Sequence, residues 1–352
     1  MIPDAQRLRP AMWPELIRNG NRLFVGSNAA VPLALMEEFL RHVEQFRDLE
    51  IVHILTLGET PWTAPSYLPH LRTNSLFLGA GTREAVRLGH ADYTPCFLSE
   101  IPELFRSKVL PVDVALVQVG PPDAQGYCSL GVSVDVVAAA CASARHIIAQ
   151  MNARSPRTMG QSFIHLNHID AIFECETPLP EIPPPTLDAV TLQIGQYVAQ
   201  LIEDGSTLQM GIGKIPDAVL RYLDQHNDLG VHTEMFSDGI IACLERGTIN
   251  NRKKTLHPGK TVASFCIGTR TLYEYVDENP HIDFYPSDYV NNPQVIAQHH
   301  RMIAINSALE VDLTGQVVSD SVGYRFYSGI GGQVDFIRGA AMSRGGKPII
   351  KR

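Results

Sequence analysis

Short apolar runs alternate with helical segments along this chain, which restricts the folds open to it. In the first half, the predicted strands cover residues 49–57, 75–78, 112–118 and 146–151, and the predicted helices cover residues 31–43, 99–107 and 133–143. Strands joined by helical crossovers lie parallel, and a parallel sheet needs helices on both faces. The pattern therefore predicts an α/β fold with mainly parallel, doubly covered sheets.

A proline-rich stretch at residues 178–185, P-L-P-E-I-P-P-P, divides the chain into two halves of similar plan. Each half opens with a glycine, a short apolar strand, a glycine turn, a proline near a helix start and an amphipathic helix, at residues 20–40 and again at 205–223. The remaining predicted strands cover residues 207–210, 231–233, 261–265 and 282–285, and the remaining helices cover 217–226 and 271–278. Because 352 residues exceed one ordinary core, we predict two similar α/β domains, residues 1–185 and 186–352.

Composition and charge exclude several classes of function. The chain is 45% hydrophobic and 19% charged, as in a soluble globular protein, and its net charge of −8 provides no basic surface for nucleic acid. Its six cysteines include no C-x-x-C pair, which is typical of reduced thiols in the cytoplasm. There is no apolar signal core and no run long enough to cross a bilayer. We therefore expect a cytoplasmic protein with neither a nucleic-acid nor a membrane partner.

The basic and histidine-rich segments predict surface positions. The run Arg252-Lys253-Lys254 is short and is expected on a solvated face, with an anion site as the alternative. His299-His300 is expected at the surface. His165 and His168 have helical i, i+3 spacing, but no third ligand stands nearby in the sequence. No metal site is therefore expected.

The stretch G-V-H-T-E-M-F-S-D-G, at residues 230–239, has Glu234 at its centre. Apolar residues come first, a polar cluster follows, and apolar residues then recur at helical spacing. This pattern predicts a buried strand, a turn and a helix that starts near Ser237 or Asp238. In α/β proteins the chemistry lies at the carboxyl ends of strands. Glu234 is therefore a candidate catalytic carboxylate, and an ordinary loop acid is the alternative that position alone leaves open.

Two glycine clusters accompany this carboxylate. Residues 211–216, G-I-G-K-I-P, follow a predicted strand and open a helix, where free backbone N–H groups can bind an anion. Pro216 takes the last place of a G-x-G-x-x-G pattern, so a dinucleotide site is disfavoured. Residues 328–333, S-G-I-G-G-Q, form a loop nearly bare of side chains that can donate N–H groups to an oxyanion. A structural turn is the alternative in both cases.

Asn291-Asn292-Pro293 follows the last predicted strand of the second half. An amide at that position can bind a carboxylate or carbonyl oxygen. Turn initiation is the commoner role of such a sequence.

Taken together, these motifs resemble the acetyl-CoA hydrolase/transferase family, which includes 4-hydroxybutyrate and succinyl-CoA:acetate CoA-transferases. The segments that carry the resemblance are residues 97–105, 121–131, 211–216, 232–239, 254–260, 288–293 and 328–340. The resemblance extends over nearly the whole chain, in the expected order. It implies the two-domain CoA-transferase fold, with the active site between the halves and usually in a homodimer.

The resemblance also implies roles for individual residues. Glu234 matches the family's nucleophilic glutamate, and Asn291 its asparagine near the reacting carbonyl. Ser328 and Gly332 match the oxyanion and CoA-contacting loop. The CoA-contacting turn falls on Gly211, Ile212, Gly213, Lys214 and Ile215.

The implied function is transfer of CoA between an acyl-CoA and a short-chain carboxylate, through a covalent glutamyl-CoA thioester and with no tightly bound cofactor. Acyl-CoA hydrolysis by the same glutamate is one alternative, and a sugar-phosphate isomerase with Glu234 as base is another. Family members continue past the G-G-K-P-I-I at residues 345–350, adding strands and a lysine contact to CoA. A truncated, inactive CoA-binding variant is therefore a third alternative.

Overall fold

A computed structural model describes residues 2–211 and 213–351 of the chain. The strands before the proline-rich stretch are β1 (Arg22–Val25), β2 (Leu49–His53), β3 (Leu71–Ser75), β4 (Ala91–Tyr93), β5 (Val114–Val119), β6 (Tyr127–Ser129), β7 (His146–Asn152), β8 (Met159–Gly160), β9 (Phe163–His165) and β10 (Ala171–Cys175). Those after it are β11 (Thr207–Met210), β12 (Gly230–Phe236), β13 (Thr261–Cys266), β14 (Ile282–Phe284), β15 (Met302–Ser307), β16 (Glu310–Val311), β17 (Val317–Val318), β18 (Ser321–Val322), β19 (Arg325–Phe326) and β20 (Lys347–Lys351).

The α-helices alternate with these strands. They are α1 (Trp13–Leu16), α2 (Leu33–Leu40), α3 (Ala80–Arg87), α4 (Ile101–Arg106), α5 (Val137–Ser143), α6 (Ala189–Ala199), α7 (Lys214–Leu220), α8 (Asp238–Glu245), α9 (Arg270–Val276), α10 (Ser287–Val290), α11 (Pro293–Ala297) and α12 (Gln333–Met342). Short 3-10 helices lie at Asp4–Gln6, Pro10–Met12, Val43–Gln45, Pro61–Thr63, Pro65–Tyr67 and Leu166–His168.

Two seven-stranded sheets form the framework, and the prediction of mainly parallel α/β sheets is confirmed. The first sheet has the strand order β10-β7-β5-β1-β2-β3-β4, and the second has the order β20-β15-β11-β12-β13-β14-β8. Every pairing within these two sheets is parallel. Strands β5 and β13 are buried along their full length, as expected for a parallel sheet covered on both faces.

The two halves of the chain are joined by shared structure. Strand β8 precedes the proline-rich stretch but pairs with β14 of the second sheet. The segment just before α5 also reaches the second sheet, because Val134 N donates to Ser264 O and Cys266 N donates to Val132 O. One buried hydrophobic cluster runs from Phe24 in the first sheet to Ile305 in the second. The two halves therefore share one packed boundary.

Several element boundaries differ from the predicted ones. The strand predicted at 75–78 lies at Leu71–Ser75. Leu76 N still donates to His53 O of β2, but Leu78 N donates to Ser328 O of the other half instead. The strand predicted at 231–233 extends to Phe236, so Glu234 lies inside β12 and not in a loop. Helix α8 begins at Asp238, as predicted from the sequence, although Ser237 makes no capping hydrogen bond through its side chain.

None of the helices in the described part of the chain is both long and apolar enough to cross a membrane.

Candidate active site

Glu234 lies near the carboxyl end of β12, where it meets the segment that follows β14. Its Oε2 accepts a 2.6 Å hydrogen bond from Asn291 Nδ2. Asn291 is fully buried directly after α10, and its backbone N–H donates to Ser287 O. Two residues before the glutamate, His232 Nε2 donates to Val290 O at 2.8 Å. His232 and Glu234, on the same face of β12, are thus hydrogen-bonded to the consecutive residues Val290 and Asn291. These two bonds hold the Glu234 carboxylate against the Asn291 amide.

Gly332 completes the contact with this pair. A Cβ atom added at Gly332 would lie 1.6 Å from Glu234 Oε2 and 2.1 Å from Asn291 Nδ2. The glycine is thus the only residue that leaves room for both groups, and it immediately precedes α12. The structure therefore brings together Glu234, Asn291 and Gly332, the three residues predicted to be catalytic.

The surroundings of Glu234 disfavour its charged form. Burial raises the pKa of Glu234 to about 7, and the nearby carboxylates of Asp335 and Asp135 act in the same direction, whereas the hydrogen bond from Asn291 opposes the rise. Burial also raises the pKa of Asp335 to about 6, although Ser99 donates to this carboxylate from both N and Oγ. Near neutral pH, Glu234 is therefore poised between its protonated and ionised forms.

The glycine loop at 328–332 lies between Glu234 and the first half of the chain. Gly329 and Gly331 lie against the ring of Phe77, where an added Cβ would come within 2.9 and 3.1 Å of ring atoms. On the same side, Leu98 N donates to Gly331 O at 3.0 Å. Ser328 is half-buried, and its carbonyl accepts the hydrogen bond from Leu78 N. The loop therefore bonds to the first half of the chain and, at Gly332, contacts the Glu234 carboxylate.

A small cavity of about 40 Å³ opens at Glu234. Its lining comprises Glu234, Phe265 and Gly331 from the second half and Asn28, Ile54, Leu55, Leu76, Phe77, Cys96, Leu98 and Ile101 from the first. Most of these side chains are apolar, so a group placed here lies against apolar surface. Sequence analysis did not identify these residues of the first half individually, although Leu98 and Ile101 belong to the recognisable segment at 97–105.

The turn predicted to contact CoA lies next to a different cleft. Gly213 has a φ of 114° and lines a cleft of about 120 Å³ together with Pro183, Ser237 and Gly268. Gly211 has open space where a side chain would stand, and Lys214 forms an exposed ion pair with Asp188. Ile215 follows in α7.

The turn and the carboxylate are connected through one residue, Thr233. Its Oγ1 donates to Met210 O at 2.9 Å, immediately before the turn, and its backbone immediately precedes Glu234. Ile212, also predicted to contact CoA, lies outside the described residues.

Two predictions of surface positions were wrong. Lys254 is buried, and its Nζ donates to Val231 O and Lys260 O at 2.7 and 2.6 Å. Burial lowers the pKa of Lys254 to about 7. His299 is fully buried with its ring centroid 4.5 Å from that of His232, and burial lowers its pKa to about 3. Both residues pack against the first half of β12, at Val231 and His232, which their polar sequence context did not indicate.

Within the described residues, no group of three or more His, Cys, Asp and Glu side chains is arranged to hold a metal ion.

Comparison with known proteins shows similarity along nearly the whole chain. Residues 10–183 match the acetyl-CoA hydrolase/transferase N-terminal domain, and residues 268–352 match the C-terminal domain. A 4-hydroxybutyrate coenzyme A transferase of Clostridium kluyveri is 51% identical over 95% of this chain and 78% of its own length. A succinyl-CoA:acetate/propanoyl-CoA:succinate CoA transferase of Fasciola hepatica is 48% identical over 95% of this chain and 70% of its own length.

Structural similarity agrees with these matches. The crystal structure of a 4-hydroxybutyrate CoA-transferase from Porphyromonas gingivalis superimposes with a TM-score of 0.83 at 40% identity, over 96% of this chain and 78% of that one. An acetyl-CoA hydrolase of Candida albicans matches less of the chain, 39% of it at 32% identity, and 26% of its own length.

Proposed function

The chain belongs to the acetyl-CoA hydrolase/transferase family, and from that premise we propose that it transfers CoA between an acyl-CoA and a short-chain carboxylate. The observation that carries this proposal is the environment of Glu234. Its carboxylate is bonded to the Asn291 amide, contacts the backbone of Gly332 and faces an apolar cavity. A partly desolvated carboxylate at the edge of an apolar pocket is suited to covalent catalysis on an activated acyl group.

In the first half-reaction, a carboxylate oxygen of Glu234 attacks the thioester carbonyl of the acyl-CoA. The carbon–sulfur bond breaks, CoA leaves as a thiolate, and an acyl-glutamyl anhydride remains. The thiolate then attacks the glutamyl carbonyl and displaces the first acid as a carboxylate. This leaves a glutamyl-CoA thioester on Glu234.

The second half-reaction reverses these steps with a different acid. A carboxylate oxygen of the acceptor attacks the glutamyl carbonyl and displaces the CoA thiolate. The thiolate attacks the acceptor's carbonyl, which releases the new acyl-CoA and regenerates the Glu234 carboxylate. Charge is conserved at each step, because one carboxylate or thiolate replaces another, and no net proton transfer is needed.

The residues around Glu234 have distinct proposed roles. Asn291 Nδ2, which donates to the resting carboxylate, orients it for attack and then donates to the oxygen of the glutamyl carbonyl. Gly332 allows the backbone to approach the reacting carbon, where its N–H can stabilise a tetrahedral oxyanion. Apolar residues from the first half exclude water, which would otherwise hydrolyse the anhydride or the thioester.

CoA binding is proposed for the glycine turn and the glycine loop. Gly211, Gly213, Lys214 and Ile215 lie before and in the first turn of α7, where free N–H groups and the Lys214 ammonium suit the phosphates of CoA. Ser328 is proposed to contact the pantetheine arm in the loop above Glu234. The domain division at residue 185, the homodimer and the cytoplasmic location expected from the sequence belong to the same proposal.

The test is an exchange assay with butyryl-CoA and isotopically labelled acetate. Transfer predicts labelled acetyl-CoA in amounts equal to the butyrate released, and Glu234→Gln should abolish it, because an amide cannot form the anhydride. Release of free CoA at a rate independent of acetate would instead identify a hydrolase. Exchange that persists undiminished in Glu234→Gln would refute the covalent role of Glu234.

A further inference from the structure

Leu98 and Ser99, two consecutive residues of the first half, bracket Gly332 in the second half. Leu98 N donates to Gly331 O at 3.0 Å, immediately before Gly332. Three residues after it, Asp335 accepts from Ser99 Oγ at 2.8 Å and from Ser99 N at 3.2 Å. These three hydrogen bonds form a clasp that fixes Gly332 from both sides.

Asp335 is a buried carboxylate that has no part in the proposed chemistry. The residue is 3% exposed, and among the described residues its side-chain oxygens accept hydrogen bonds only from Ser99. An acidic side chain in the first turn of a helix usually interacts with the free N–H groups of that turn, whereas Asp335, in the first turn of α12, is bonded to the other half of the chain. Burial of a carboxylate is costly unless hydrogen bonds compensate it. The contact with Ser99 supplies this compensation, and it exists only where the two halves meet.

Leu98 also anchors the segment that carries Asn291. Ser287 Oγ donates to Leu98 O at 3.0 Å, and Asn291 N donates to Ser287 O at 2.8 Å. The Asn291 amide in turn donates to Glu234 Oε2. Both groups that contact the carboxylate are thus tied to the same two residues of the first half.

We propose that Ser99 and Asp335 are positioning residues for CoA transfer, which hold the backbone of Gly332 against the Glu234 carboxylate. The inference rests on the proposed function and adds to it the residues that align the two halves of the chain. Neither side chain is hydrogen-bonded to Glu234, so both act through Gly332 and its neighbours. The space at Gly332 is too small for one methyl group, so a small shift of the loop changes the geometry at the reacting carbon. A misplacement of about 1 Å can cost about a hundredfold in rate.

Removal of the Ser99 hydroxyl tests the clasp. Ser99→Ala deletes the bond from Oγ but keeps the bond from the backbone N–H and the charge of Asp335. In the exchange of butyryl-CoA with labelled acetate, kcat should fall about tenfold while KM for butyryl-CoA changes less than about threefold, because alignment in the transition state suffers more than substrate binding. Ser99→Thr keeps a hydroxyl donor and should recover kcat to within about threefold of the wild-type value.

Ser162→Ala is the matched control. It deletes another buried serine hydroxyl, which donates to Thr158 O and not to the segment around Gly332. Because this hydroxyl lies outside the clasp, kcat should stay within about twofold of the wild-type value even where the lost hydrogen bond lowers the melting temperature. A fall in kcat confined to Ser99→Ala therefore does not reflect a general loss of stability.

Asp335→Asn tests the clasp from its other side. The amide oxygen can still accept from Ser99 Oγ, but the amide NH2 group faces Ser99 N, so kcat should again fall about tenfold. Since Ser99 and Asp335 act through one contact, the double variant Ser99→Ala/Asp335→Asn should lose little beyond either single variant.

The pH–rate profile separates the charge of Asp335 from its hydrogen bonds. Besides each other, Glu234 and Asp335 face three charged groups, Asp135, Glu100 and Arg338. The Asp335 carboxylate raises the pKa of Glu234, so Asp335→Asn should move the rise in rate to lower pH. Ser99→Ala keeps the charge and should leave the rise near its wild-type position.

The outcomes are distinguishable, and melting temperatures measured alongside identify any variant that fails to fold. Wild-type kcat in folded Ser99→Ala would overturn the positioning role, as would a double variant whose loss in kcat equals the product of the two single losses. If Ser99→Ala does not fold, wild-type kcat in Asp335→Asn would overturn it instead. A wild-type protein that exchanges no thioester would contradict the proposed CoA transfer itself.

Discussion

Replacing Gly332 by alanine should inactivate the protein through one added methyl group. The backbone of Gly332 has a φ of −101°, which alanine adopts freely, so the effect is purely steric. The methyl carbon would lie 1.6 Å from Glu234 Oε2 and 2.1 Å from Asn291 Nδ2. Since non-bonded atoms stay about 3.5 Å apart, the carboxylate must move by almost 2 Å or the loop must retreat.

Either movement breaks the contact of Glu234 with Asn291 or the approach of Gly332 to the reacting carbon. A misplacement of 1 Å can cost about a hundredfold in rate, so we expect kcat to fall by about 10²–10³. The assay is exchange between butyryl-CoA and labelled acetate, with the melting temperature measured in parallel.

Gly339→Ala is the matched control, because it makes the same change seven residues later, inside α12. Its added Cβ would lie 2.5 Å from Ile296 Cβ, in the core and away from the carboxylate. Overpacking of this kind costs about 1–3 kcal/mol of stability, with kcat retained in the folded protein. The steric reasoning fails if Gly332→Ala is folded and turns over at close to the wild-type rate.

Three further predictions concern charge and burial. Because only the ionised carboxylate attacks and the pKa of Glu234 is raised to about 7, the rate should increase with pH through about 7. Asn291→Ala removes a hydrogen bond that lowers this pKa, so it should move the rise in rate to higher pH. A pH–rate profile of each protein checks both expectations. The raised pKa also makes the ionised form of Glu234 costly in the folded state, so stability is lost as the pH rises from about 4.5 to about 7. Glu234→Gln should therefore stabilise the protein by up to about 3 kcal/mol at pH 8 but hardly at pH 4. Urea unfolding at the two pH values measures this difference. Lys254→Met leaves Val231 O without its hydrogen-bond donor and should lower the free energy of unfolding by about 1–3 kcal/mol. The control, Lys253→Met at an exposed position, should change it by less than about 0.5 kcal/mol. Equal urea midpoints for the two variants would contradict the buried role of Lys254.

The sheets were predictable from the sequence because parallel strands appear as apolar runs between helices, and β5 and β13 show such runs clearly. The ends of strands were less predictable where tertiary contacts replace the hydrogen bonds between neighbouring strands. Residues 76–78 are apolar like a strand, yet Leu78 bonds to Ser328 of the other half. That choice depends on a residue 250 positions later in the chain, which no local pattern contains.

The candidate site likewise contains residues that the sequence identified and residues that only the fold reveals. Glu234, Asn291 and Gly332 stand in recognisable segments, and the structure places them in contact. Leu55 and Phe77 carry no chemical signal of their own, since they line a cavity that forms only when the two halves pack together. Lys254 and His299 were assigned to the surface because polar residues usually lie there, and only the fold shows that both are buried beside β12.

The covalent step at Glu234 is tested most directly by trapping it. The protein is incubated with butyryl-CoA, treated with borohydride, digested and analysed by mass spectrometry. A glutamyl-CoA thioester is reduced to an alcohol, so the peptide containing Glu234 should lose one oxygen and gain two hydrogens, and this change should be absent without butyryl-CoA. An unaltered Glu234 peptide from protein that exchanges CoA in the same tube would contradict the glutamyl-CoA mechanism.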